Sequence, residues 1–232
     1  MAHAIIAAAG SGERLRAGGP KALVEVAGQA MLGWSLRAFA AAQSVQAVVV
    51  AAPPGYEDEV RALAARVDQQ PAPKVVTGGD TRSESVANAL AALAEDGDPP
   101  DGIVAVHDAA RPLVTPELID ATVAALGQDA GAAGVIAAEP VADTLKREAA
   151  ANVIAATVSR EGLWAAQTPQ VFRIAALREV VEGGADPTAT DEAMLIERQG
   201  WTVLLHESGQ PNLKVTTRAD LELADLILRG RS

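Results

Sequence analysis

Between residues 9 and 21 the chain gathers the groups that handle phosphate. Gly10, Gly12, Gly18 and Gly19 stand among Glu13, Arg14, Arg16 and Lys21, directly after the apolar run 4–9. Such a short apolar run has the length of a buried strand. Glycines after a strand let backbone N–H groups come close to a ligand that a Cβ would keep away. Inward-turned N–H groups make an anion-binding concavity, and Arg and Lys bring charge to the same point. Spacing excludes two familiar phosphate loops. Leu15 stands where the dinucleotide fingerprint needs its third glycine, and Lys21 lies between Pro20 and Ala22 rather than in Gly-Lys-Ser/Thr. Glycine alone is equally a mark of any turn. Three cations within residues 14–21 of an acidic chain favour chemistry.

Two further clusters follow strand-like runs. Residues 78–85, GGDTRSES, lie between the short run Val75-Val76 and a helical pattern. Open α/β sheets bind ligands at such carboxyl edges, although a plain strand-to-helix turn with Ser83 as N-cap reads the same residues differently. The run 103–106 ends in His107-Asp108-Ala109-Ala110-Arg111-Pro112. Asp108 is either the cap of the next turn or a ligand for Mg²⁺ against phosphate oxygens, since a hard cation takes carboxylate oxygen and keeps several waters. His107 alternates to the other face of its strand and reads as a structural, hydrogen-bonded histidine. His3 and His206 offer no partner for a catalytic pair, and the absence of cysteine excludes disulfides, thiolate metal sites and cysteine nucleophiles.

These loops must be carried by elements, and periodicity supplies them. Apolar residues at helical spacing mark helices over 31–43, 57–67 and 82–95, and strand-like runs fall at 47–52 and 103–106. Thr115 and Pro116 open another helix as N-cap and N1, with Leu118, Val123 and Leu126 on its inner face. Strands follow at 131–138 and 201–205. A helix capped by residues 190–193 runs to 199, with Asp191 and Glu192 as favourable charge in its first turn. Thr217 and Asp220 cap a last amphipathic helix, and Lys214 sits in an apolar, strand-like run before it. Strands alternating with helices of this length imply parallel strands joined by helical crossovers. Residues 139–159 break the pattern as two short extended pieces around an Ala-rich turn, too poor in apolar surface to stand alone.

Size and charge bound the rest. A chain of 232 residues suits one domain, and a net charge of −11 argues against general nucleic-acid binding. No apolar run reaches the roughly 18–20 residues of a membrane span. The start MAHAIIAAAG lacks the basic region of a signal peptide, consistent with a cytoplasmic location.

Several of these segments together resemble a family. A-A-G-x-G-x-R followed by P-K is similar to the signature of the sugar- and polyol-phosphate nucleotidyltransferases. Within that group the order G-G-D-T-R, H-D-A-A-R-P, D-T-x-K, Q-T-P-Q, T-D-E-A and N-L-K-V-T most resembles the 2-C-methyl-D-erythritol 4-phosphate cytidylyltransferases of non-mevalonate isoprenoid synthesis. The resemblance spans nearly the whole chain. It departs at Ala7, where many members have proline, and at Leu213 for isoleucine.

The resemblance implies a Rossmann-like α/β nucleotidyltransferase sandwich, a mostly parallel sheet flanked by helices. It implies one domain over 1–232 whose segment 139–159 is a projecting β-arm forming a homodimer. CTP and methylerythritol phosphate would be the substrates, with Mg²⁺ as cofactor. Arg14, Lys21, Arg160 and Lys214 would be catalytic. Ala8, Ala9, Gly10, Gly12, Glu13, Gly79, Asp80, Ser85, Asp108 and Ala109 would hold the nucleotide, with Asp108 also on the metal. Arg111, Thr144, Thr168 and Thr190 would surround the acceptor. Neighbouring readings are a ribitol-5-phosphate cytidylyltransferase, which usually carries A-G-G where this chain has Ala8-Ala9-Gly10, a guanylyl- or uridylyltransferase, and a catalytically silent nucleotide-binding regulator.

Overall fold

A seven-stranded sheet forms the centre of the computed structural model, in the spatial order β11-β7-β10-β6-β1-β4-β5. The structure describes residues 1–10, 19–69, 71–94, 102–183 and 189–231. The first strands are β1 (Ala2–Ala7), β4 (Val45–Ala52), β5 (Lys74–Thr77) and β6 (Ile103–Asp108), all parallel to one another. Their crossovers carry α1 (Met31–Ala41), α2 (Glu57–Ala64) and α3 (Arg82–Ala94). The chain then adds α4 (Pro116–Gln128), β7 (Gly134–Pro140), β10 (Trp164–Arg173), α5 (Ile174–Glu182), α6 (Glu192–Arg198), β11 (Val203–Glu207) and α7 (Arg218–Arg231). Strand β11 runs parallel to β7, whereas β10 lies antiparallel between β7 and β6.

Strand alternation divides the core in two. Ala4 and Ile6 of β1, with Val48 and Val50 of β4, pack under α1, α2 and α4. Ile5, Val49, Val104 and Val106 face the opposite way, under α3, α5 and α6. A sheet buried on both faces needs apolar residues at successive positions, which is why its strands read as continuous runs. A smaller third cluster joins α7 to β2 (Glu25–Val26) and the start of α1, and β2 pairs with β3 (Gln29–Ala30). These two strands form a hairpin turned by Ala27 and Gly28 at φ 50° and 82°, the left-handed pair that a two-residue turn requires.

The structure corrects several expectations. Residues 164–182 carry no strand or helix in the sequence reading, yet they form β10 and α5. Gln167, Thr168 and Gln170 interrupt the apolar pattern there because they are buried through hydrogen bonds rather than through apolar contact. Thr81, not Ser83, caps α3: its Oγ1 accepts from Glu84 N at 3.1 Å, while Glu84 Oε2 accepts from Asp80 N and Thr81 N. This is a reciprocal capping box that begins at Thr81 rather than at Ser83. Lys214 lies in irregular backbone, not a strand. Thr115 and the Thr217/Asp220 pair cap their helices as the sequence implies.

The segment after β7 forms its own two-stranded antiparallel sheet, β8 (Leu145–Glu148) with β9 (Ile154–Val158). It is almost wholly exposed, and Val153 and Ile154 each keep 61% of their surface.

Candidate active site

The strand order switches at β1, with β4 and β5 laid down on one side of it and β6 on the other, and the crevice outside the carboxyl ends of strands at such a point is where open α/β sheets bind ligands. A cavity of about 470 Å³ occupies that place. Its wall is built from the residues after β1 (Ala8, Ala9, Gly10), the turn after β5 (Gly79, Asp80, Thr81), and the end of β6 (Asp108, Ala109, Ala110). Lys21, Arg82, Ser85 and Lys214 complete it. Three loops distant in sequence thus meet because β6 and β1 are neighbours and β5 lies one strand further on, across β4.

The meeting is close. A Cβ on Gly78 would lie 2.5 Å from the Ala9 Cβ and 3.0 Å from the Ala52 carbonyl oxygen, so only glycine lets the β5 turn approach the β1 loop. Ser85 ties that turn down from the helix: its Oγ accepts from Gly79 N at 3.0 Å and donates to the Thr81 carbonyl at 2.9 Å. The hydroxyl is thereby committed to shaping the loop.

Asp108 is the charged centre. Its Oδ1 accepts from Arg82 Nε at 2.8 Å and its Oδ2 lies 2.7 Å from Lys214 Nζ. Burial alone would raise this carboxyl, but Arg82 and Lys214 outweigh it and hold it well below the usual carboxylate range. Arg82 also contacts Glu192, whose side chain is fully buried on α6. Burial pushes the Glu192 carboxyl up while Arg82 pulls it back. The Arg82 guanidinium, between two carboxylates that outweigh its burial, is held more firmly charged than usual.

His107 sits one residue earlier and faces away from the cavity. It is fully buried, with Nδ1 3.0 Å from Thr168 Oγ1, Nε2 3.4 Å from Ser35 Oγ and its ring against Phe39. Burial lowers its pKa to about 3, so it stays neutral and structural, as the alternation of β6 implies.

The Q-T-P-Q run, whose purpose the sequence does not disclose, now has one. Asn212 Nδ2 donates to Gln167 Oε1 at 3.0 Å and to the Thr168 carbonyl at 2.8 Å, and Ser208 Oγ donates to the same Gln167 oxygen. Arg111 donates to the Asn212 carbonyl at 2.7 Å, and Val215 N donates to the Ala110 carbonyl at 2.8 Å. Thr168 Oγ1 accepts from Asp108 N at 3.1 Å. Buried polar networks of this kind fix one geometry when they are satisfied. Here they lock the 212–215 segment to the end of β6 and deliver Lys214 to Asp108.

Of the residues expected at the site, Lys21, Lys214, Ala8, Ala9, Gly10, Gly79, Asp80, Ser85, Asp108 and Ala109 come together around the cavity. Gly12, Glu13 and Arg14 lie outside the described residues. Arg111 and Thr168 are buried behind the cavity in the network just given. Thr144, Arg160 and Thr190 are exposed and are not among the cavity-lining residues. The sequence alone does not mark Arg82, which stands only inside a motif, or Glu192, which reads as ordinary charge in a first helical turn.

This arrangement can grip a polyanion through backbone donors and cations, with no histidine among the described residues that line the cavity. Comparison with known proteins agrees. Residues 2–230 match the protein family described as 2-C-methyl-D-erythritol 4-phosphate cytidylyltransferase (IspD). The chain belongs to this family. Relatives bearing that name include one from Synechococcus elongatus, 41% identical over 233 residues that cover 99% of this chain and 97% of the relative. One from Ralstonia nicotianae is 44% identical over 235 residues, covering 98% and 91%. A crystal structure of the Thermus thermophilus cytidylyltransferase superposes with a TM-score of 0.75 at 32% identity, covering 99% of this chain and all of that one. A 4-diphosphocytidyl-2C-methyl-D-erythritol synthase gives 0.80 at 34% identity, covering 97% of this chain and 98% of that one. The chain is thus a nucleotidyltransferase of the cytidylyltransferase type.

Proposed function

We propose that the protein transfers CMP from CTP to 2-C-methyl-D-erythritol 4-phosphate. A phosphate oxygen of the acceptor attacks the α-phosphorus in line, the bond to the β-phosphate oxygen breaks, and pyrophosphate leaves. The acceptor phosphate is already ionised, so no side chain need remove a proton. Catalysis then rests on positioning and on charge stabilisation at the phosphoryl oxygens. The observation that carries this reading is the convergence of Lys21, Arg82 and Lys214 on one cavity while the nearest histidine is buried and neutral.

In this reading the backbone of Ala8–Gly10, Gly79 and Asp80 receives the nucleotide, together with Gly12 and Glu13 of the opening loop. Lys21 and Arg14 stabilise the developing charge at the α-phosphorus. Lys214 is 43% exposed at its side chain, free enough to turn from Asp108 toward an incoming phosphate. Arg160 is its counterpart on the acceptor, with Arg111, Thr144, Thr168 and Thr190 nearer the polyol. The exposed β8–β9 sheet is the arm of a homodimer, and it brings Thr144 and Arg160 to the partner's cavity. The whole of 1–232 then acts as one domain with that arm, in the cytoplasm.

The donor set fits a magnesium ion held by a single carboxylate. Among the described residues no group of three or more His, Cys, Asp or Glu surrounds one point, so Asp108 would share the ion with oxygens of the triphosphate and water. Once bound, the ion supplies neutralising charge to the phosphates.

Pyrophosphate release, measured with each of the four nucleoside triphosphates against methylerythritol phosphate and ribitol phosphate, tests this. Release with CTP and methylerythritol phosphate alone is expected. Release with ribitol phosphate would move the acceptor, and none with any pair would reduce the cavity to a binding site.

A further inference from the structure

The holder of Asp108 is itself held from outside the cavity. Arg82 stands at the start of α3, and its guanidinium spans two carboxylates: Nε on Asp108 at 2.8 Å and Nη1 on Glu192. A rigid planar fork can do this, and an ammonium group, a point charge, would have to choose one partner or the other. Glu192 lies in the first turn of α6, fully buried, with Oε2 on Arg82 and Oε1 without a partner. Burying a carboxylate this way is a poor route to stability, since an apolar side chain would join α6 to the sheet at less cost. Asp191 beside it caps α6 and accepts from Gln170 Nε2 of β10 at 2.8 Å, so the first turn of α6 is itself fixed to the sheet.

We infer that Arg82 and Glu192 are positioning residues of the nucleotide site, with Glu192 anchoring the Arg82 guanidinium so that it aims the Asp108 carboxylate into the cavity. This deepens the cytidylyl-transfer reading and rests on it for the role of Asp108. Lys214 holds the other Asp108 oxygen but is partly exposed and free to leave it. Arg82 is therefore the fixed partner, and Glu192 is what fixes it.

A double-mutant comparison tests this, using wild type, Glu192→Gln, Asp108→Asn and the combination. CTP affinity is read by calorimetry, and kcat and both KM values by pyrophosphate release. The loss of one charge-assisted contact predicts that Glu192→Gln weakens CTP binding about tenfold. The KM for the acceptor should stay within about twofold and the melting temperature should move little. In the Asp108→Asn background the same change should cost less than about twofold, because no carboxylate remains to be aimed. Equal losses in both backgrounds, or a fall in melting temperature with CTP affinity intact, overturn the proposal. Should Glu192→Gln fail to fold, Arg82→Lys carries the same comparison, keeping the charge but not the bridge. Wild type that binds CTP without turnover sinks the reaction and leaves the coupling readable in binding. Turnover with additive losses sinks the positioning role alone, and wild type that does not bind CTP sinks both.

Discussion

Lys21 and Arg14 share a proposed task, stabilising charge that develops only as the α-phosphorus is attacked. Groups of that kind act on turnover more than on folding. We expect Lys21→Ala, and separately Arg14→Ala, to lower kcat by roughly 10²–10³ with an unchanged circular dichroism spectrum. Near-normal turnover by a folded Lys21→Ala protein would end the assignment. His107 makes a different prediction, about stability. Its folded pKa of about 3 lies below the ordinary histidine value of 6.5, so the unfolded chain binds a proton that the folded one refuses. Stability should therefore be full above pH 6.5 and fall as pH drops from there toward 3, by about 2 kcal/mol at pH 5 from this residue. Asp108, whose folded pKa is also depressed, adds to the loss only in the more acidic part of the range, as the pH falls through its own titration. Urea unfolding at pH 7.5 and pH 5 checks this, and His107→Gln should remove most of the difference between them.

Elements explain why the site is where it is. The parallel strands β6 and β1 end side by side with β5 one strand further on, and each of the three hands over to a loop made of small residues. The β1 and β5 loops touch at Ala9 and Gly78, and a methyl group there would meet a neighbouring Cβ and a carbonyl that have no soft direction to yield. Gly78→Ala should cost about 1–3 kcal/mol and raise the KM for CTP by forcing the two loops apart. Thermal melting together with steady-state kinetics would show both, and a variant with wild-type values in each would mean the loops are pliable. Helix α3 has two jobs at this point. Its capping box fixes the turn before it, and Ser85 and Arg82, three residues apart on one face, reach the turn and the carboxylate respectively.

At the scale of the molecule the β8–β9 sheet stands out because little of it is buried. A two-stranded hairpin is marginal in water unless something covers it. Its exposed Val153 and Ile154 are suited to a second copy of the chain, which would also give Thr144 and Arg160 a cavity to serve. Deleting residues 141–159 with a short replacement turn should give monomers that have lost turnover but still bind CTP. Sedimentation velocity and the pyrophosphate assay together decide this, and active monomers would refute the dimeric site. The acidic surface acts in the same direction: with a net charge of −11, an anionic substrate is drawn only to where cations are concentrated.

The sequence by itself determined the main strands and helices up to α4, though not the β2–β3 hairpin, because parallel strands buried on both faces and amphipathic helices each leave a distinct period. It also marked the three small-residue loops, each standing where a strand-like run ends. Part of what it left open has one physical cause, namely that buried polar groups carry no period. Strand β10 was hidden because Gln167, Thr168 and Gln170 enter the core through specific partners elsewhere in the chain, and alternation shows only apolar burial. Glu192 was misread for the same reason, as an acidic residue in a first helical turn is nearly always solvated. Only the tertiary structure, by setting α6 against α3 over the end of β6, decided that Glu192 and Asp108 would share one guanidinium and that Lys214 would meet them there.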